Sequence, residues 1–117
     1  MSIPGQSENG VKKLCMDWLK LWGAFPIRVN SAAVVIPAEG DHRRRFYRAN
    51  SEPGCSDCLV VLPGGRFGAF EFKQPGAEPS DIQTTFLDQV RRRGGLALVV
   101  SSLDQLRQDL AAAGYVT

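Results

Sequence analysis

Apolar residues recur at helical spacing near the start of the chain: Val11, Cys15, Trp18, Leu19 and Trp22 fall at i, i+4, i+7, i+8 and i+11. That spacing predicts an amphipathic helix over residues 8–22, with Gly23 as its stop. Phe25-Pro26-Ile27-Arg28-Val29-Asn30 then reads as a strand. Residues 32–36 and 45–48 read as two further extended pieces, around a turn at Glu39-Gly40-Asp41. Two apolar runs follow, 59–62 and 67–72, parted by Pro63-Gly64-Gly65, and this predicts an antiparallel hairpin. Beyond a loop from Pro75 to Pro79, the stripe Ile82, Phe86, Leu87 and Val90 predicts a second helix. It opens at Pro79 or Ser80, runs to about Arg93 and stops at Gly94-Gly95. Residues 96–100 are continuously apolar, as in a strand buried on both faces. Ser102-x-x-Gln105 predicts a capping box for a last helix, which Leu103, Leu106 and Leu110 pack down and Gly114 closes.

The order is therefore helix, strands, hairpin, helix, strand, helix, without repeat or internal boundary. A chain of 117 residues with 44% hydrophobic content fits one domain over 1–117, with residues 1–7 as a loose polar leader. No run approaches a membrane span, and the N-terminus lacks a basic-then-apolar signal pattern. The expectation is a soluble, cytoplasmic protein.

The hairpin carries the chemistry. Asp57 stands where its first strand begins, and Glu71 and Lys73 where its second ends, so a hairpin makes them neighbours. Alternation puts Glu71 and Lys73 on one face and Phe70 and Phe72 on the other. A Glu-x-Lys on a strand is often only a solvated polar pair. Two carboxylates and an ammonium at one strand end also suit an oxygen-coordinated divalent metal beside a proton-handling lysine. Two more residues join this company. Gln83 falls inside the second helix's apolar stripe, where its amide needs a polar partner, and the hairpin's acidic end is the candidate. Glu8 lies within about 60° of Val11 on the first helix wheel. It either serves the helix dipole or supplies a third acid to the site.

Fourteen bases oppose twelve acids, for a formal +2. With Glu8, Asp57 and Glu71 committed to metal, nine acids remain and the balance becomes +5, which favours a polyanionic partner. Arg43, Arg44, Arg45 and Arg48 cluster around Phe46 and Tyr47, as in a nucleic-acid contact surface or a charged sheet edge. Arg91, Arg92 and Arg93 form a second run. Cys15, Cys55 and Cys58 are an odd set; Cys55-x-x-Cys58 leads into a strand rather than a helix, unlike a redox motif, and has no second pair for zinc. They are expected to be buried apolar fillers.

Gly54-Cys55-Ser56-Asp57, Glu71-Phe72-Lys73, Gln83 in a helix and Gly94-Gly95 before an apolar strand together resemble the virus-type replication-repair (VRR-NUC) branch of the PD-(D/E)xK nucleases. The resemblance runs from about Glu8 to Leu106. It implies an α/β fold with a restriction-endonuclease-like core, a central mixed β-sheet flanked by helices. It also implies a Mg2+- or Mn2+-dependent, structure-selective DNA endonuclease acting in DNA repair on branched DNA such as four-way (Holliday) junctions. The small size resembles the stand-alone phage and bacterial members, which act as homodimers. In that pattern Asp57, Glu71 and the Phe72 backbone carbonyl hold the metal, and Lys73 orients or deprotonates the attacking water. Glu8 matches a first-helix acid, and Gln83 a supporting glutamine. Arg28, Arg43, Arg44, Arg45, Arg48 and Arg66 are assigned to DNA. Ser56 departs from the pattern, standing where proline is usual. Two other readings stay open: a non-catalytic DNA-binding module on the same fold, and a zinc-stabilised interaction domain built on Cys55 and Cys58.

Overall fold

The computed structural model describes residues 7–29, 33–36, 38–40, 45–48 and 52–117. The chain opens with α1 (Glu8–Trp22), where the Ser7 side chain caps the Gly10 amide. It ends at Gly23, whose φ of 108° lets its N–H turn back to the carbonyls of Leu19 and Lys20. Strand β1 (Phe25–Arg28) follows, then a ribbon of β2 (Ala33–Ile36) and β3 (Arg45–Arg48). The hairpin is β4 (Cys58–Val61) and β5 (Phe67–Phe72), then come α2 (Asp81–Arg92), β6 (Leu96–Val100) and α3 (Leu103–Ala112).

The main sheet has the order β1-β4-β5-β6. Its first three strands are antiparallel and β6 joins β5 in parallel, which makes the sheet mixed. The parallel crossover from β5 to β6 passes through α2, as such a connection requires. The ribbon β2–β3 is a separate antiparallel pair. This is the α/β arrangement expected, a mixed sheet flanked by helices.

Alternation along β4 and β5 divides the core in two. Cys58, Val60, Phe70 and Phe72 join Val11, Cys15 and Leu19 of α1 and Leu106 and Leu110 of α3 in the larger cluster. Ala69 and Ala97 face the other way and meet Leu87 of α2. All three cysteines are free and buried, as fillers. Burial pushes the Cys58 thiol up to about 12 and that of Cys15 to about 11, far from thiolate chemistry. Helix α2 packs over β5 and β6, with Leu59 of β4 at the margin of the same cluster. Beyond it, the register partners Phe25, Val61 and Phe67 form an apolar row across β1, β4 and β5, exposed at 64%, 40% and 45%.

Several boundaries and packing details differ from those the sequence predicts. Strand β1 stops at Arg28 and β2 starts at Ala33, while Asn30 and Ala32 lie outside the described residues. Residues 96–100 are covered on both faces, with Ala97 and Val99 in the cluster under α2 and Leu96, Leu98 and Val100 in the cluster with α3, although Leu96, Leu98 and Val99 of this edge strand are only half-buried. Ile82 is 57% exposed, at the open rim of its helix stripe. The Gln105 carboxamide turns to the N–H and hydroxyl of Ser101 rather than to Ser102, although Ser102 Oγ does accept from the Gln105 amide. The reciprocal capping box is instead at α2, between Ser80 and Gln83.

Candidate active site

The hairpin register decides where the acids stand. Cys58 pairs with Phe70, so Asp57 and Glu71, each one position further on, face one another across the strand end. Asp57 is tied into the sheet by its carbonyl, which accepts from the Val29 N–H at 2.8 Å. Glu71 shares a face with Ala69, under α2, while Phe70 and Phe72 point into the opposite core. Lys73 continues the line, with its backbone N–H on the Val100 carbonyl at 2.9 Å.

Glu71 is nearly sealed, at 2% exposure. Gln83 Nε2 donates to its Oε1 at 2.9 Å, and Lys73 Nζ stands 4.0 Å from the same oxygen. Glu71 Oε2 is buried with no hydrogen-bond partner, and so is Asp57 Oδ2. Leaving two carboxylate oxygens in this state is costly. The cost appears as a displaced acidity: the Glu71 carboxyl is pushed up to about 8. Desolvation is the first cause and the Asp57 carboxylate beside it the second, only partly offset by Lys73. Two carboxylates facing each other at a largely buried strand end fit a hard divalent cation, which would neutralise both at once. Asp57 and Glu71 are the residues that would hold it, with the Phe72 carbonyl on the same strand end.

Gln83 is held by the capping box. Its Oε1 accepts from the Ser80 N–H at 2.9 Å, while its own N–H donates to Ser80 Oγ at 3.3 Å. One amide therefore closes the first turn of α2 with its oxygen and holds Glu71 with its nitrogen. Gly54 brings the Asp57 loop against the same helix turn. Its φ is +73°, and a Cβ there would lie 2.4 Å from the Ile82 carbonyl oxygen, so the loop passes too close for any side chain.

The other expected residues divide. Glu8 opens α1, and no group of three acidic, cysteine or histidine side chains able to hold an ion occurs among the described residues. Lys12, one turn later, meets Asp57 instead, with Nζ 3.7 Å from Oδ2 and only 16% side-chain exposure. The wheel that turned Glu8 inward also turned Lys12 inward, about 40° away at 100° per residue, so the signal was present. Arg66 sits at the hairpin turn, at the other end of β5 from Glu71, and its Nε donates to the Gly94 carbonyl at 3.0 Å. Five residues of strand, about 17 Å, separate it from the acids. Arg28 is exposed at the end of β1, in register with Cys58 and so on the α1 side of the sheet, the opposite face from Glu71. Arg43 and Arg44 lie outside the described residues, as do the side chains of Arg45 and Arg48. Ser56 is fully buried with its hydroxyl unpaired, a packed position that fits the proline usual there.

By sequence, no family model and no curated protein matches the chain. By structure, it is similar to a solved VRR_NUC domain at a TM-score of 0.63 and 22% identity, over 93% of this chain and 99% of that one. The chain has the VRR_NUC fold. At this identity the likeness carries the architecture, and the chemistry rests on the side chains. Among the described residues no helix is long and apolar enough to cross a membrane.

Proposed function

We propose that this chain is a metal-dependent, structure-selective DNA endonuclease that hydrolyses phosphodiester bonds in branched DNA such as four-way junctions. The observation that carries the reading is the pair of buried carboxylate oxygens without a hydrogen bond, Asp57 Oδ2 and Glu71 Oε2, beside Lys73 on a VRR_NUC fold. Magnesium or manganese, when bound, supplies charge neutralisation at the phosphorus and a more acidic water. Asp57 and Glu71 give up their mutual repulsion on holding that cation. Gln83 keeps Glu71 aimed, and Lys73 stands within reach of Glu71 to orient the attacking water or take its proton. Water then adds to phosphorus as one P–O ester bond breaks; the lysine amine, in its neutral form, takes the proton lost by the attacking water, and the departing oxygen takes a proton from solvent. Arginines and lysines around the site bind phosphates rather than bases, so selectivity follows DNA shape.

A homodimer belongs to this reading, since cutting opposed strands of a junction needs two sites related by symmetry. The exposed row Phe25, Val61 and Phe67 supports it as a surface for a second copy. Incubation with labelled junction, flap and duplex DNA, with magnesium or manganese, tests the activity. The expected result is metal-dependent cleavage of branched DNA in preference to duplex. The Lys12–Asp57 ion pair favours a second reading, in which a lysine substitutes for the cation and the fold only binds DNA. That reading predicts salt-sensitive binding with no cleavage at any metal concentration.

A further inference from the structure

A groove of about 440 Å³ runs along one flank of α1, between that helix and β1. Its lining includes Lys12, Lys13, Lys20 and Arg28, against Asp17 as the single acid. Lys13 and Asp17 are paired at 2.8 Å and Lys12 is turned to Asp57, which leaves Lys20 and Arg28 as the groove's net cations. A row of lysines on a helix is ordinarily a solvated face. Three features separate this one from that default. The charges line a concavity rather than a convex face, and Arg28 enters it from a different element. The third is position: one end of the row is Lys12, whose Nζ lies 3.7 Å from Asp57 and whose side chain keeps only 16% exposure.

We infer that this groove is a phosphate-backbone track that delivers a DNA strand to the acidic pair, a deepening that rests on the nuclease reading. Its lining on α1 runs from Asn9 to Lys20, twelve residues and about 17 Å along the helix. Lys12 serves both the acids and the track. It balances Asp57 when the acids are otherwise unneutralised, and it is released to the phosphate beside the scissile bond when they are. Arg28 lies at the same mouth, since the next residue, Val29, bonds Asp57. None of this path depends on the arginines of residues 43–48.

The test is the salt dependence of binding to a fluorescent four-way junction, by anisotropy, without divalent metal so that no hydrolysis intervenes. Lys20 and Arg28 are exposed, so the Lys20→Gln/Arg28→Gln variant keeps its fold, with thermal unfolding as the check. Each cation withdrawn from a phosphate lowers the slope of log K against log salt by about 0.9, so the double variant should show a slope smaller by about 2. The Arg92→Gln/Arg93→Gln variant removes the same charge at the other end of the sheet and should keep a slope within about 0.5 of wild type. A wild-type slope in the Lys20/Arg28 variant, or an equal reduction in the Arg92/Arg93 variant, overturns the track and leaves the nuclease reading standing. Absence of salt-dependent binding by the wild-type protein overturns both.

Discussion

Gln83 and Glu71 are joined by one hydrogen bond, Nε2 to Oε1 at 2.9 Å, while the other end of the same amide closes the capping box with Ser80. The orientation of a buried acid is thereby linked to the first turn of a helix. The two functions of the amide separate by mutation. Ser80→Ala removes one cap and should cost about 1 kcal/mol in urea unfolding, with cleavage reduced less than about threefold. Gln83→Ala removes the cap's return bond and strips Glu71 of its donor, for about 2–3 kcal/mol and at least a tenfold loss of cleavage. Equal effects of the two substitutions on cleavage would show that Gln83 acts through the helix alone.

Glu71 also sets a pH dependence. Its carboxyl is raised from 4.5 to about 8 by burial and by Asp57, so between those values the native state holds a proton that the unfolded chain has released. The native state binds more protons in that window, and stability falls as pH rises through it, levelling off above about 8. Urea unfolding in chelator at pH 5, 6.5 and 8 should show the decline. Glu71→Gln should flatten it, and so should saturating magnesium, which holds the carboxylate ionised in the native state as it is in the unfolded chain.

Gly54 is a steric prediction. With φ at +73° and Ile82 backbone where a Cβ would go, Gly54→Ala should destabilise by at least about 2 kcal/mol and displace the Asp57 loop. Urea unfolding checks the first effect and magnesium titration of the folded variant the second. A variant with wild-type stability would mean that the loop stands further from α2.

For the dimer, Phe25→Glu places a charge in the exposed Phe25–Val61–Phe67 row. The expected outcome by sedimentation is a shift from dimer to monomer, with helical content unchanged. A wild-type profile would move the interface elsewhere.

Much of the fold was legible because its elements carry clear periods. Residues 8–22 repeat at helical spacing, and Pro63-Gly64-Gly65 parts two apolar runs in a way that admits little but a hairpin. From that hairpin alone the meeting of Asp57, Glu71 and Lys73 followed, and Gln83 stood out as a polar residue inside an apolar stripe. What escaped depends on tertiary approach. Glu8 and Lys12 point the same way from α1, and only the arrival of the Asp57 loop decides that the lysine meets the acid. Nor does local pattern show that the turn places Arg66 at the far end of the strand from the acids, with its Nε on the Gly94 carbonyl. Residues 96–100 are covered on both faces, as their composition suggested, whereas their edge position is a property of strand order that local pattern does not encode.

The most direct measurement is cleavage of a labelled four-way junction in magnesium by the wild-type chain beside Asp57→Ala, Glu71→Ala and Lys73→Ala, each confirmed folded by circular dichroism. Conversion of the labelled strand to discrete fragments by the wild type alone, abolished by chelator, is the predicted outcome. Intact junction in the wild-type lane at every metal concentration, or fragments persisting at full yield in all three variants, would mean that these side chains do not form a hydrolytic centre.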